Sequence, residues 1–263
     1  MSTVFLLPLG VALLGFWALW PVSIVRKDAS IVDFWWAPGF AALAWAGWAM
    51  SDVALAGTSL LLLALVTAWG LRLGATLATR RLREGVEDPR YAEMRAAREP
   101  GFWWKSFFIV FTLQAIIQWI IATGLIAAVA AGAAPGPLAA FGALLAICGA
   151  GIEARSDFEL DRFKRTEPHG GLLTTGLRAH VRYPSYAGEI LFWVGLSTVA
   201  FDAGIWWAPL NAALVAALLL YLSGIPILED RFTRTRPDFA AYRNRVPALI
   251  PRIGRGATGG VRQ

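Results

Sequence analysis

The chain of 263 residues has little thiolate or imidazole chemistry to offer: one cysteine, Cys148, and two histidines, His169 and His180. A lone cysteine excludes an intramolecular disulfide and any thiolate metal cluster, and two histidines argue against a zinc site, so no metal is expected. Charge is also scarce. Asp, Glu, Lys and Arg make up 16% of the chain, against roughly 25% in soluble domains, which argues against a water-soluble enzyme. Among the 24 basic residues only three are lysine, Lys27, Lys105 and Lys164. The arginines lie between apolar runs, where they face lipid headgroups or anionic ligands rather than nucleic acid.

What the chain does have is apolar length. Apolar residues form 57% of it, and seven membrane helices of about 20 residues each would use nearly that whole inventory. Apolar runs fall at 3 to 25, 34 to 50, 54 to 79, 103 to 131, 136 to 152, 188 to 203 and 205 to 225. The first is longer than a signal-peptide core and has neither a preceding basic segment nor a small-x-small site before Arg26 and Lys27, so it reads as a retained helix. Lys and Arg then set the orientation. With the N-terminus outside, the outer connections 51 to 53, 132 to 135 and around 202 to 204 hold no basic residue, and all 24 fall on the inner side. The expected fold is an all-α integral membrane protein with seven transmembrane helices, N-terminus outside and C-terminus cytoplasmic. It forms one membrane domain over 1 to 253, followed by a disordered Gly-rich tail over 254 to 263.

The inner segments differ in kind. Residues 80 to 101 are polar, with helical stretches broken at Pro89 and stopped at Pro100-Gly101, and read as a cytoplasmic cap. Residues 153 to 165 set Phe158, Leu160 and Phe163 among charges, which suits a helix leaving the bilayer for the interface. The tail from Pro226 predicts a short amphipathic helix and an extended, strand-like end. Gly254, Gly256 and Gly259 spell G-x-G-x-x-G, but the chain ends too soon for a dinucleotide-binding strand-turn-helix unit.

Ionisable groups near apolar spans are costly and therefore candidates for function. Asp33 opens span two, as an interfacial N-cap or a proton donor. Arg72 sits within snorkelling reach of the inner interface. Gln114 and Gln118, four apart on one face of span four, serve a common cleft or helix-helix adhesion. Tyr186, Glu189 and Trp193 share a face at the start of span six. Just upstream, Arg178, Arg182, Tyr183 and Ser185 offer donors to phosphate or carboxylate oxygens. This predicts a mouth with a cationic rim, an aromatic wall and one carboxylate. Asp157, Leu160 and Lys164 share another face, and Asp161 with Arg165 reads as a solvated pair.

The run RSDFELDRFKR, then GGLL, then YPSYAGEILFWVG resembles the C-terminal domain of the steroid 5-alpha reductase superfamily. That domain shows S-D-x-x-L-x-x-L-[RK], G-G-L-F and N-[FY]-x-G-E-I-x-x-W-x-G in this order. VDFWWAPGF, WGLRLGATLATR and EDPRYAEMR resemble an uncharacterised bacterial branch of it, and the likeness covers about residues 31 to 251. The resemblance implies a multi-pass protein of the bacterial inner membrane, an NADPH-dependent reductase saturating a carbonyl-conjugated C=C bond of a steroid or isoprenoid-like lipid. Asp157, Lys164, Ser185, Glu189 and Trp193 fall on its nucleotide-site positions, and Tyr242 on its C-terminal aromatic. Together with Arg178, Arg182 and Tyr186 they form the expected cofactor-binding set, with Asp33 as the expected catalytic residue.

Two departures stand out. Ser185 replaces the usual Asn, and span three lacks the Tyr that in the steroid enzymes joins an acidic residue of span two at the substrate carbonyl. TTGLRAHVRYPSYAG and the C-terminal ILEDRFTRTRPDFAAYRNRVPALIP also resemble the isoprenylcysteine carboxyl methyltransferases, which use S-adenosylmethionine, although the R-H-P-x-Y motif of that family lacks its His here. A transporter would call for charged groups at mid-bilayer or an internal repeat, and the sequence has neither.

Overall fold

The structure, a computed structural model, describes residues 2–167 and 171–251. His169 and the tail expected to be disordered, with its G-x-G-x-x-G run, lie outside the described residues. Every regular element is helical among those described. The elements are α1 (Ser2–Arg26), α2 (Asp33–Ala49), α3 (Gly57–Glu84), α4 (Pro89–Ala96), α5 (Phe102–Ser106), α6 (Leu113–Ala131), α7 (Pro137–Thr166), α8 (Pro184–Asp202), α9 (Pro209–Ala217), α10 (Ile225–Thr235) and α11 (Phe239–Arg245). A π-helical segment, Phe107–Thr112, joins α5 to α6, and a second, Leu218–Leu222, follows α9.

Five helical stretches are long and apolar enough to cross a membrane: Thr3–Arg26, Gly57–Arg83, Phe102–Ala131, Pro137–Thr166 and Pro209–Thr235. The expected second and sixth spans are helices too, but shorter. The 17 residues of α2 reach only about 26 Å at 1.5 Å per residue, and the 19 of α8 include Ser185, Glu189 and Asp202.

Local chemistry sets the element ends. Asp28 caps a short 3-10 turn, Ala29–Val32, accepting from the backbone N–H of Ser30 at 3.0 Å. α3 stops at Gly85 in the left-handed region (φ 67°), which costs glycine nothing. Asp88 then caps α4 with Pro89 in its first turn, where a missing N–H is no loss. Pro89 thus opens a helix rather than breaking one. The expected interfacial helix over 153 to 165 is the unbroken continuation of α7. The tail forms two helices, α10 and α11. Its end, expected to be strand-like, forms bends and no strand among the described residues, although Arg182 and Tyr183 N–H donate to the Pro247 and Ala248 carbonyls at 2.8 and 3.0 Å.

The chain divides into two compact units, Met1–Cys148 with Leu191–Val215, and Gly149–Ile190 with Ala216–Gln263. In the first, α1, α2, α3 and α6 pack on one another around Phe16, Phe40, Leu62, Leu63, Val66, Phe111 and Ile126, all essentially inaccessible. Asn211 of α9 splices into α6: its Oδ1 accepts from Gly124 N–H at 3.0 Å, and its Nδ2 donates to the Ile120 carbonyl at 3.0 Å and to Thr123 Oγ1 at 3.1 Å. Gly124 N–H and the Ile120 carbonyl are i and i+4 neighbours within α6, so after Asn211→Leu each still has a partner in the helix. The expected loss is therefore only about 1 kcal/mol, read as a small drop in melting temperature in detergent. In the second unit the start of α8 lies against α7, where a Cβ on Gly188 would meet the Gly149 carbonyl at 2.6 Å and Glu153 N at 2.7 Å.

Candidate functional site

In the first unit Asp33 stands in the first turn of α2, but no side-chain bond caps that helix. Asp28 does the local capping, and the Asp33 carboxylate turns to α4 instead. Tyr91 Oη donates to Asp33 Oδ1 at 3.0 Å, and Arg90 Nη2 lies 3.4 Å from Oδ2. Gln114 Nε2 donates to Tyr91 Oη at 3.1 Å. The result is a chain of acid, phenol and amide, with one guanidinium flanking it. Tyr91 is 7% exposed. Burial, with the Asp33 charge beside it, pushes its phenol well above the usual tyrosine range, so the group keeps its proton throughout the neutral range.

The position of α4 is set by a polar seam. Arg81 pairs with Asp28. Glu87 accepts from Ala29 N–H at 2.7 Å and from Arg95 at 2.8 Å. Asp88 N–H donates to Ser30 Oγ at 3.3 Å. On α6, Gln118 is fully buried and donates to the Trp36 carbonyl at 2.7 Å. The two glutamines therefore divide the expected roles, Gln114 joining the polar chain and Gln118 tying helices together. Tyr91 was not singled out in the sequence, although EDPRYAEMR held the signal: an Asp-Pro helix start that puts a tyrosine on the third residue. An acid–tyrosine pair is thus present, with the tyrosine supplied by α4 rather than span three.

In the second unit the buried polar row on α7 is longer than expected: Glu153, Ser156 and Asp157 are 2%, 0% and 7% exposed. Glu153, absent from the sequence-based set, lies one turn before Asp157 on the same face. Ser156 and Ser185 hydroxyls are 2.7 Å apart, and Arg178 Nη1 donates to the Ser156 carbonyl at 3.2 Å. Tyr186 stacks on Tyr183 at 5.9 Å between centroids. Glu189 follows Ser185 by one turn on α8 and is half-buried, and Lys164 is exposed near the end of α7. Asp157, Arg178 and Ser185 thus gather around Ser156 and the start of α8.

Three expected ligands have other surroundings. The Arg182 guanidinium donates to Glu229 Oε1 at 2.6 Å and to the Val246 and Arg243 carbonyls at 2.5 and 3.1 Å. Tyr242 Oη donates to the Arg178 carbonyl at 2.7 Å. Trp193 belongs to the first unit, where it is 1% exposed and meets Phe40 edge-on at 4.6 Å and Trp69 at 6.1 Å. A groove of about 250 Å³ on the second unit is lined by Arg162, Phe163, Thr166, Leu173 and Thr175, among others. Its α7 residues point away from the face of Asp157 and Lys164. No cluster of three or more His, Cys, Asp and Glu suited to a metal occurs among the described residues.

The family described as "Protein of unknown function (DUF1295)" matches residues 19–246. No curated protein and no solved structure matches the chain. The match spans most of the sequence, so the chain belongs to this family, a steroid 5-alpha reductase-like membrane family.

Proposed function

We propose that this DUF1295 member is a membrane-embedded NADPH-dependent reductase that saturates a carbonyl-conjugated C=C bond of a steroid or isoprenoid-like lipid. The observation that carries the reading is the hydrogen-bonded chain Asp33–Tyr91–Gln114 at the head of apolar helices. Reduction at the carbon beta to a carbonyl builds negative charge on the carbonyl oxygen, which requires a hydrogen-bond donor placed in advance. A phenol that holds its proton meets that requirement when its single O–H turns from Asp33 to the substrate oxygen, while the Gln114 amide still fixes the phenol oxygen. Arg90, 3.4 Å from Oδ2, helps hold the Asp33 side chain in place.

The second unit supplies groups suited to a dinucleotide: carboxylates Glu153, Asp157 and Glu189 for ribose hydroxyls, and Lys164 and Arg178 for phosphates. The Ser156–Ser185 hydroxyl pair adds short, adaptable donors where relatives carry Asn. Bound there, NADPH would supply the hydride. The reading takes seven spans in a bacterial inner membrane, N-terminus outside and C-terminus cytoplasmic. Its support is the absence of Lys and Arg from 51 to 53, 132 to 135 and 202 to 204.

The test is thermal stability of the detergent-solubilised protein. A ligand at about 100 times its Kd stabilises by about 2.7 kcal/mol, so NADPH is expected to raise the melting temperature by several degrees. Glu189→Ala is expected to abolish the gain. A rise with S-adenosylmethionine and none with NADPH overturns the reading in favour of a membrane methyltransferase of the isoprenylcysteine carboxyl methyltransferase kind.

A further inference from the structure

The connector between α7 and α8 carries Arg178 and Arg182 and leads into Ser185, Tyr186 and Glu189, yet its described residues have little regular structure beyond a short turn, Gly176–Ala179. Its shape comes from elsewhere in the second unit. Arg236 donates to the Gly171 carbonyl at 2.7 Å and Tyr242 to the Arg178 carbonyl at 2.7 Å. The backbone N–H groups of Arg182 and Tyr183 donate to Pro247 and Ala248. Glu229 of α10 is the pivot: it accepts from Arg182 at 2.6 Å and from Tyr183 Oη at 3.4 Å, and Arg243 lies 3.8 Å away. The Arg182 side chain is 10% exposed, and its remaining Nε is buried as well.

We infer that α10, α11 and residues 246–251 act as a strap that sets the conformation of the ligand-binding connector, with Glu229, Arg182 and Tyr242 as positioning residues rather than ligand contacts. The inference rests on the reductase reading for the identity of the ligand, and on the hydrogen bonds alone for the strap. A guanidinium with three of its four terminal N–H groups already on a carboxylate and two carbonyls, and its Nε buried, has little left for a phosphate. A charged pair of this kind, mostly screened from water, loses far more when one partner is removed than when both go, because a single removal strands the other charge. The Tyr242 hydroxyl holds the carbonyl of Arg178, the residue that carries the connector's remaining guanidinium toward Ser156. Loosening the strap therefore lowers the affinity for an anionic ligand without deleting any group that touches it.

The experiment uses the full chain in detergent, with hydrogen exchange and NADPH titration as readouts. Glu229→Gln and Tyr242→Phe are each expected to speed amide exchange across residues 176–184 by about tenfold or more, with exchange over 113–131 unchanged. Wild-type exchange in that segment for both variants overturns the strap. Arg182→Gln, Glu229→Gln and the double variant then separate positioning from contact. Each single change is expected to weaken NADPH by about tenfold, and the double change by no more than either. Additive losses, or a loss from Arg182→Gln alone, mean that Arg182 touches the ligand and overturn the assignment. If the wild-type protein binds no NADPH, the reductase reading fails, while the exchange measurement still decides whether the strap orders the connector.

Discussion

Asp33→Asn is expected to leave the NADPH-dependent rise in melting temperature at its wild-type size while lowering turnover about 100- to 1,000-fold, the range for losing one well-placed donor or its acid–base partner. Asparagine keeps the shape of the side chain and one oxygen for the Tyr91 hydroxyl, which donates to it at 3.0 Å. What it removes is the carboxyl group's capacity to take up a proton and pass it on. Arg90 then keeps only Asp88, at 3.0 Å, and a proton given up by the phenol has no carboxyl relay to return it. Tyr91→Phe removes the donor itself and leaves the Gln114 amide without its 3.1 Å acceptor, so its loss should be at least as large. The two changes act on one unit, and the double variant is expected to lose little more than Tyr91→Phe alone. The measurement is NADPH consumption with a carbonyl-conjugated lipid as acceptor, beside the melting temperature with and without NADPH. Undiminished turnover in Asp33→Asn removes the carboxylate from the chemistry. Loss of the NADPH shift in the same variant assigns it to ligand binding instead.

Much of the helical plan is legible from hydropathy alone, because an apolar run of bilayer length has few other solutions. All seven apolar runs correspond to helices. The run ending at 152 was cut where charge begins, but helix formation responds to backbone hydrogen bonding, and α7 continues through Glu153, Asp157 and Lys164 to Thr166. The candidate sites were half legible. Residue type marks Asp33 as costly within a span, yet its partner Tyr91 lies 58 residues away in a polar cap, where a single tyrosine carries no periodic signal. Arg182 and Tyr242 have the right chemistry for an anion, but their hydrogen bonds go to Glu229, 47 residues on, and to Arg178, 64 residues back. Helical spacing put Trp193 on one face with Tyr186 and Glu189, but spacing says nothing of where a long ring ends. In the structure it is buried with Phe40, Trp69 and Phe192. Tertiary pairing, rather than local pattern, decides each of these cases.

The largest expected effect on stability comes from one methyl group, in Gly195→Ala. A Cβ at Gly195 would stand 2.4 Å from Ala146 N, 2.5 Å from the Gly142 carbonyl and 2.8 Å from Ala146 Cα. All three are backbone atoms of α7, so no side chain can rotate aside and the two helices must separate. Small residues allow such an approach in membranes, where van der Waals contact and not water drives helix association. Separation forfeits that contact along the rest of the pair. Helix propensity opposes the loss, since alanine is favoured over glycine by about 1 kcal/mol within a helix. Overpacking costs about 1–3 kcal/mol when side chains can adjust, and more when the backbone must shift, so the clash outweighs the propensity and a net loss of about 3 kcal/mol is expected. Gly10→Ala in α1 isolates the opposing contribution, because nothing lies within 4 Å of its added Cβ. That change is expected to be neutral or to stabilise by about 0.4–1 kcal/mol. Melting temperatures of the two variants in the same detergent decide the matter: Gly195→Ala should fall well below wild type while Gly10→Ala holds or rises. Equal melting of the pair would mean that α7 and α8 do not approach as closely as 2.4 Å implies.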